Sequence, residues 1–213
     1  SMPNTLKLDF ENADTIETSL VLVRNTMAKG GVIAFPTDTF YGLGADPFNT
    51  EAVSKIFQIK NRKKNQPILV LIHDTSQLSL FTETVNDNAE KLMSAFWPGP
   101  LTLLFEAKPS VSRELTGGSD RIGVRLPGSP FTRQLIQAVG HPLTASSANL
   151  SGGDNIGAPQ HLPPELFDQL DLVVDGGTLT GDVPSSVVDP SVSPPQMIRE
   201  GTISQAQIEE CFI

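Results

Sequence analysis

The stretch FPTDTFYGLGADPFNTEAVSKIFQIKNRKKNQPILVLI, residues 35–72, runs from a strand end through a hydroxyl-rich turn and a glycine-spaced aromatic segment into a short helix and a second strand. The helix, residues 51–60, carries Val53, Ile56 and Phe57 on one face, and steps of three and four along that stripe reach Lys60. A lysine that ends an apolar stripe is expected over the rim of the core. Residues 68–72 form an unbroken apolar run after Pro67, the pattern of a strand covered on both faces. Strand, helix and strand in this order indicate an α/β fold. Five of the fifteen Lys and Arg residues fall between Lys55 and Lys64, although the formal net charge is −9. One or two cations suit a helix C-terminus, where each is worth ~0.3–1 kcal/mol. Lys60, Arg62, Lys63 and Lys64 together repel one another unless an anion joins them.

Upstream, Asp14-Thr15-Ile16-Glu17 has the form of a capping box, followed by Ile16, Leu20, Val23 and Met27 at helical spacing and a stop at Gly30-Gly31. Residues 32–35 read as a strand. Thr37-Asp38-Thr39 then lies at a strand end, where α/β proteins place ligand sites, although a turn bonding its own backbone also uses these residues. Gly42 and Gly44 permit either positive φ or a close approach. Downstream, a helix over residues 89–96 stops at Trp97-Pro98-Gly99-Pro100, and residues 101–105 form a strand. Residues 106–120 make a long connection, expected to be mobile or functional. In residues 121–126, alternation puts Ile122, Val124 and Leu126 on one face and Arg121 and Arg125 on the other, with Gly123 between them. That spacing fits an open anionic slot or two solvated arginines. A helix capped by Ser129-Pro130 ends at Gly140. A short strand over residues 142–145 leads into SSANLSGG, a second hydroxyl- and amide-rich loop. Residues 154–164 are Pro/Gly-rich and read as a surface excursion. Residues 171–175, 185–189 and 196–199 give three more strands, and a last helix covers residues 203–212. With no clear linker, one domain over residues 1–213 is expected, Ser1 being read as a tag scar.

Several chemistries are excluded. No apolar run approaches the ~18 residues needed to span a bilayer, and the N-terminus has no signal-peptide pattern, so a cytoplasmic protein without a membrane partner is expected. A single cysteine, Cys211, rules out internal disulfides and Cys-cluster zinc sites. Gly176 and Gly181 have Walker A spacing, but Asp182 and Val183 follow them. His73, His141 and His161 lie in unrelated contexts, so neither a His triad nor a metal site is expected. Catalysis would rest on positioning and electrostatic stabilisation by Lys and Arg, which suit phosphates and carboxylates. The acidic balance weighs against tight non-specific binding of nucleic acid, without excluding a local basic cleft.

Seven segments in order between residues 36 and 201 carry a resemblance: PTDTFYGLGADPF, KIFQIKNRKKNQP, FWPGPLTLLFEA, RIGVRLPGSP, TASSANLSGG, SSVVD and MIREG. The chain resembles the Sua5/YrdC/YciO family, and within it the single-domain members that make threonylcarbamoyl-AMP. The resemblance implies a YrdC-like α/β (α+β) fold: a twisted, mostly mixed sheet with flanking helices and a concave basic cleft, without a C-terminal Sua5 domain. It implies that L-threonine, bicarbonate and ATP, with Mg2+ expected, give threonylcarbamoyl-adenylate and pyrophosphate. The product then passes to downstream transfer proteins that complete the t6A modification of tRNA. Contact with tRNA or double-stranded RNA is implied as well.

Residue by residue, the family's KxR and SxN motifs fall on Lys60-Asn61-Arg62 and Ser147-Ala148-Asn149. The resemblance implies that Lys60 and Arg62 are catalytic, and that Lys60, Arg62, Gln66, Arg121, Asn149 and Arg199 bind ATP. Thr39, Arg125, Ser147 and Ser185 would hold threonine or its carbamate. Gln66 stands where many members have a basic residue, Leu71 where many two-domain members have histidine, and Ser185-Ser186 where Ser-Thr is usual. Three alternatives stay open: a tRNA- or double-stranded-RNA-binding module without adenylation activity, the YciO branch of the fold, and a carbamoyl-adenylating domain like that of hydrogenase maturation.

Overall fold

The computed structural model describes residues 4–213; Ser1, read as a tag scar, lies outside the described residues. Two mixed sheets form, not the single sheet expected. In the five-stranded sheet, β1 (Asn4–Lys7), β9 (Leu172–Asp175), β2 (Ile33–Phe35), β3 (Gly42–Gly44) and β8 (Ser146–Ser147) lie side by side in that order. The six-stranded sheet runs β11 (Gln196–Arg199), β10 (Ser186–Asp189), β5 (Leu101–Glu106), β6 (Arg121–Arg125), β4 (Val70–Leu71), β7 (Leu143–Thr144). The chain passes from one sheet to the other at Ala145, the single residue between β7 and β8. β7 pairs antiparallel with β4 through Thr144 and Val70, while β8 pairs antiparallel with β3 through Ser147 and Gly42. Sequence pattern does not reveal this corner, because the strand residues on either side of it number two each.

The apolar runs are explained by two cores. Val32 and Ala34 face one cluster, with Tyr41, Ile56, Phe57, Val70, Ile72 and Val124. Ile33 and Phe35 alternate into a second, with Leu71, Leu135 and Leu172. β2 and β4 are thus covered on both faces, as their unbroken hydrophobicity requires. Against the second core pack α1 (Ile16–Ala28) and α5 (Pro130–Val139), tied where Arg24 Nε donates to the Ala138 carbonyl at 2.7 Å. Against the first pack α3 (Asp87–Phe96), through Ala89 and Leu92, and α2 (Thr50–Lys60), whose Asn49 side chain accepts the Ala52 N–H at 3.1 Å.

Three local expectations need correction, and one open choice is resolved. α1 begins after Thr15 with no side-chain cap, and Glu17 instead pairs with Arg24 at 2.8 Å, so the Asp14 capping box does not form. Neither Gly42 nor Gly44 has positive φ. Gly44 answers a close approach, since a Cβ there would lie 2.8 Å from the Phe35 ring. The connection over residues 106–120 contains a helix, α4 (Arg113–Thr116), and buttresses the turn after α2. Glu114 accepts Ser54 Oγ at 2.8 and 2.9 Å and Lys64 Nζ at 3.3 Å, and the Leu115 carbonyl accepts the Ile68 N–H at 2.9 Å. Finally, residues 154–164 are a surface excursion only in part, with an apolar side anchored in the core. Ile156, Ala158 and Leu162 are buried, and the Ile156 carbonyl accepts the Tyr41 N–H at 2.8 Å.

Candidate functional site

A cleft of about 230 Å3 opens between the two sheets, its floor crossed by the Ala145 corner. From the five-stranded sheet come Thr37, Thr39 and Tyr41 on the β2–β3 connection, with Ser146 and Ser147 on β8. The six-stranded side supplies Arg125 at the end of β6, Ser185 just before β10 and Arg199 at the end of β11. Arg62 and Asn155 complete the polar lining. Three buried side-chain polar atoms lack a hydrogen-bond partner among the described residues: Arg62 Nε, Arg125 Nε and Ser146 Oγ. All three belong to residues of this one wall. Buried polar groups are ordinarily satisfied, so their concentration in residues of one wall singles it out as the candidate site.

The local turn after α2 explains where the cations go. Asn61 takes the left-handed conformation (φ 53°), and the Arg62 N–H returns to the Phe57 carbonyl at 2.9 Å, closing a Schellman-type helix end. This turn keeps Lys60 inside and swings Arg62 to the cleft, where its Nη2 donates to the Pro67 carbonyl at 2.7 Å. Burial lowers the Arg62 guanidinium pKa.

Lys60 departs from its expected place over the rim. Only 1% exposed, it lies behind the Ser147 wall. Its Nζ donates to the Ser147 carbonyl at 2.5 Å, to Ser147 Oγ at 3.0 Å and to Asn149 Oδ1 at 3.2 Å. Ser147 Oγ donates in turn to Asn149 Oδ1 at 2.8 Å, and Asn149 Nδ2 to the carbonyls of Gly153 and Asp154 at 2.9 and 3.1 Å. The apolar stripe of α2 continues to Lys60, as the spacing indicated, but it continues into the protein. Burial, and after it the charge of Arg62, lowers the Lys60 pKa from 10.5 to about 7.

Opposite, Arg125 is 3% exposed. Its Nη1 donates to Asp38 Oδ1 at 2.5 Å and its Nη2 reaches Thr39 Oγ1 at 3.4 Å. Thr37 behaves as turn chemistry predicts: its hydroxyl donates to the Phe40 carbonyl at 2.7 Å and accepts the Thr39 N–H at 3.1 Å. Arg199 donates to the Ser185 carbonyl through Nε at 3.1 Å and Nη2 at 2.7 Å, while Ser185 Oγ and Thr102 Oγ1 lie 2.9 Å apart. Desolvation, and after it the neighbouring charge of Arg125, lowers the Arg199 pKa. Two guanidinium groups close enough to disfavour each other's charge offer anionic oxygen a favourable position.

Six residues singled out from sequence thus share the cleft wall: Thr39, Arg62, Arg125, Ser147, Ser185 and Arg199. Lys60 and Asn149 stand directly behind it. Gln66 is exposed and off the wall, its N–H bonded to the Lys63 carbonyl at 3.2 Å. Arg121 does not converge with Arg125. It borders a separate depression of about 90 Å3, 3.4 Å from Asp189 Oδ1 and 2.8 Å from Ser191 Oγ. The supposed slot over Gly123 is filled by side chains, since a Cβ there would meet Thr102 Cγ2 at 3.2 Å and Leu69 Cβ at 3.4 Å. Asp38 belongs to the strand-end turn at Thr37–Thr39 and Ser146 to the hydroxyl-rich loop after β7, both flagged by the sequence, whereas Tyr41 and Asn155 were not singled out as ligand-binding and Asn155 carries no local signal in a Pro/Gly-rich segment.

Comparison with known proteins gives one consistent result. The Sua5/YciO/YrdC family profile, described as telomere recombination, matches residues 25–201. The Bacillus subtilis threonylcarbamoyl-AMP synthase is 40% identical over 179 residues, covering 84% of this chain and 52% of that protein. The crystal structure of Pyrococcus abyssi Sua5 complexed with L-threonine superposes with a TM-score of 0.90 at 31% identity, over 99% of this chain and 61% of that one. The crystal structure of E. coli YciO superposes with a TM-score of 0.83 at 28% identity, over 98% and 99% of the two chains. The chain spans about half the length of three of the curated relatives it matches, between 52% and 57%. The mixed α/β fold expected from sequence is the fold of these neighbours.

Proposed function

This chain belongs to the Sua5/YciO/YrdC family, and on that premise we propose that it is a threonylcarbamoyl-AMP synthase, a nucleotidyltransferase that joins L-threonine, bicarbonate and ATP. The observation that carries the reading is the convergence of Thr39, Arg62, Arg125, Ser147, Ser185 and Arg199 on one cleft, whose lining residues also hold the unpartnered polar atoms. At about 230 Å3 the cleft falls below the ~300–1,000 Å3 of most small-molecule sites. An amino acid with its one-carbon unit suits that volume, and a nucleotide would lie largely along the outer wall.

The chemistry balances without a protein nucleophile. The neutral amine of threonine combines with bicarbonate, forming a C–N bond and releasing water. The resulting carbamate oxygen attacks the α-phosphorus of ATP, the new P–O bond forms, and the α–β anhydride bond breaks with its electrons leaving on pyrophosphate. Arg62 and Arg199 would offset charge on the phosphates, and Lys60 would fix the Ser147–Asn149 turn that meets them, so the contribution of the chain is positioning and electrostatic stabilisation. Gln66, Arg121 and Asn149 stay assigned to the nucleotide side by family resemblance alone. Among the described residues no group of three His, Cys, Asp or Glu could cage a metal, and Asp38 is engaged by Arg125 and the Gly128 N–H. Mg2+ fits as the nucleotide's own counter-ion, held by phosphate oxygens and water.

No helix among the described residues is long and apolar enough to cross a membrane, and the reading places the reaction in the cytoplasm, with transfer proteins downstream for tRNA modification. RNA binding without adenylation is the weaker reading, given the net charge of −9. Mass spectrometry of a reaction containing ATP, bicarbonate and a panel of amino acids tests the proposal. Threonylcarbamoyl-AMP is expected with threonine alone, and its absence while tRNA binds in a salt-dependent manner would favour the RNA-binding reading.

A further inference from the structure

We propose that Asp38 is a positioning residue that selects which edge of Arg125 meets the amino acid's carboxylate; the inference rests on the threonine reading of the cleft. A guanidinium offers paired donors along more than one edge, and its planar fork binds a carboxylate through two parallel N–H···O bonds. In this cleft Asp38 Oδ1 occupies Nη1 at 2.5 Å, while Asp38 Oδ2 accepts the Gly128 N–H at 2.9 Å. Both carboxylate oxygens are therefore engaged, one by the β6 arginine and one by the loop that follows β6. Nη2 has only the 3.4 Å contact with Thr39 Oγ1, and Nε is buried without a partner among the described residues. The donors that Asp38 does not engage are therefore Nε and Nη2, which share one edge of the guanidinium.

The arrangement also requires glycine at position 128, because a Cβ there would lie 2.9 Å from Asp38 Oδ2. Asp38 supplies negative charge beside Arg125, which otherwise repels the nearby Arg199. The side chains of Arg125 and Asp38 are 4% and 16% exposed, so water competes little for this pair. Without Asp38, rotation about the last arginine torsions would present either edge, and the ligand would have to select one on binding. The ordering is instead done beforehand, which is how preorganisation favours affinity.

The test is calorimetric binding of L-threonine, L-threoninol and ATP to the wild-type protein and to Asp38→Asn. Threoninol lacks the carboxylate and reports the rest of the pocket. We expect Asp38→Asn to weaken threonine by about ten-fold or more, with threoninol and ATP within about two-fold of wild type. Equal weakening of all three ligands, or no weakening of any, overturns the inference. A wild-type protein that does not favour threonine over threoninol overturns the threonine reading itself, and the inference with it. If Asp38→Asn does not fold, Gly128→Ala displaces the Asp38 carboxylate without changing charge. The same selective loss is expected there, and unchanged threonine affinity would overturn the proposal.

Discussion

Replacing Lys60 with methionine removes a buried ammonium and keeps an unbranched side chain of similar length. In the folded protein the Lys60 pKa falls from 10.5 to about 7, first through burial and then through Arg62. Unfolding restores the ordinary value, so between these limits the unfolded chain binds the additional proton. Above the upper limit neither state carries it and folding has no electrostatic cost at this site. As pH falls through the window the cost grows, and below about pH 7 it is fully present. Each pH unit corresponds to about 1.4 kcal/mol. From about pH 7 to pH 9.5 the wild type should therefore gain about 3 kcal/mol relative to Lys60→Met, which has no proton to lose. An opposing effect is the donor lost by the Ser147 carbonyl and by Asn149 Oδ1, a cost of about 1–3 kcal/mol. That cost does not vary with pH. Urea unfolding at several pH values, followed by fluorescence of the single tryptophan, separates the two: the offset between the stability curves reports the hydrogen bonds, and the slope of their difference reports the proton. Parallel curves across the window would refute the argument, because they would mean that Lys60 keeps its proton in the folded state. In the same variant, threonine- and bicarbonate-dependent pyrophosphate release should fall by about ten-fold or more, since the turn bearing Ser147 loses its anchor.

Tyr41→Phe removes a hydroxyl that accepts the Gly176 N–H at 3.0 Å and donates to the Gly177 carbonyl at 2.7 Å; a loss of about 1–3 kcal/mol in urea unfolding is expected, and an unchanged midpoint would contradict it. Gly201→Ala puts a Cβ 2.2 Å from the Pro184 carbonyl oxygen and 2.7 Å from the Ser185 carbonyl. It should cost about 1–3 kcal/mol of stability and raise the threonine KM by displacing Ser185, so a variant with native melting and native KM counts against this packing account. Arg62→Gln should raise the ATP KM by about ten-fold while leaving threonine affinity close to wild type; an unchanged ATP KM would remove Arg62 from the nucleotide side.

Local pattern carried the elements well and the joins poorly. The unbroken apolar runs of β2 and β4 announced burial on both faces because neighbouring residues alternate between two cores. Ala145 gave no comparable sign, since two-residue strands are too short to show a period. The same contrast holds at the site. Arg125 follows from strand alternation, and Lys60 from the apolar stripe of α2. The direction of Lys60 depends on the left-handed turn at Asn61, a backbone choice that a run of cations does not specify. Arg121 was paired with Arg125 on the expectation that Gly123 left space, and Thr102 on β5 and Leu69 beside β4 fill it. Asn155 was hidden because its neighbours look like loop, while the burial of Ile156 and Ala158 is set by contacts with distant segments.

The Ala145 corner has a consequence for hydrogen exchange. β4, β7 and β8 have two residues each, and ladders this short open with little free energy when taken alone. Because one covalent link joins β7 in one sheet to β8 in the other, opening either strand pulls on both. A molecule spanning Arg125 and Ser147 fastens that corner from the cleft side. Amides of residues 143–147 should then slow together, and by the same increment as those of β3 and β6, so that two separately fraying sheets exchange as one cooperative unit.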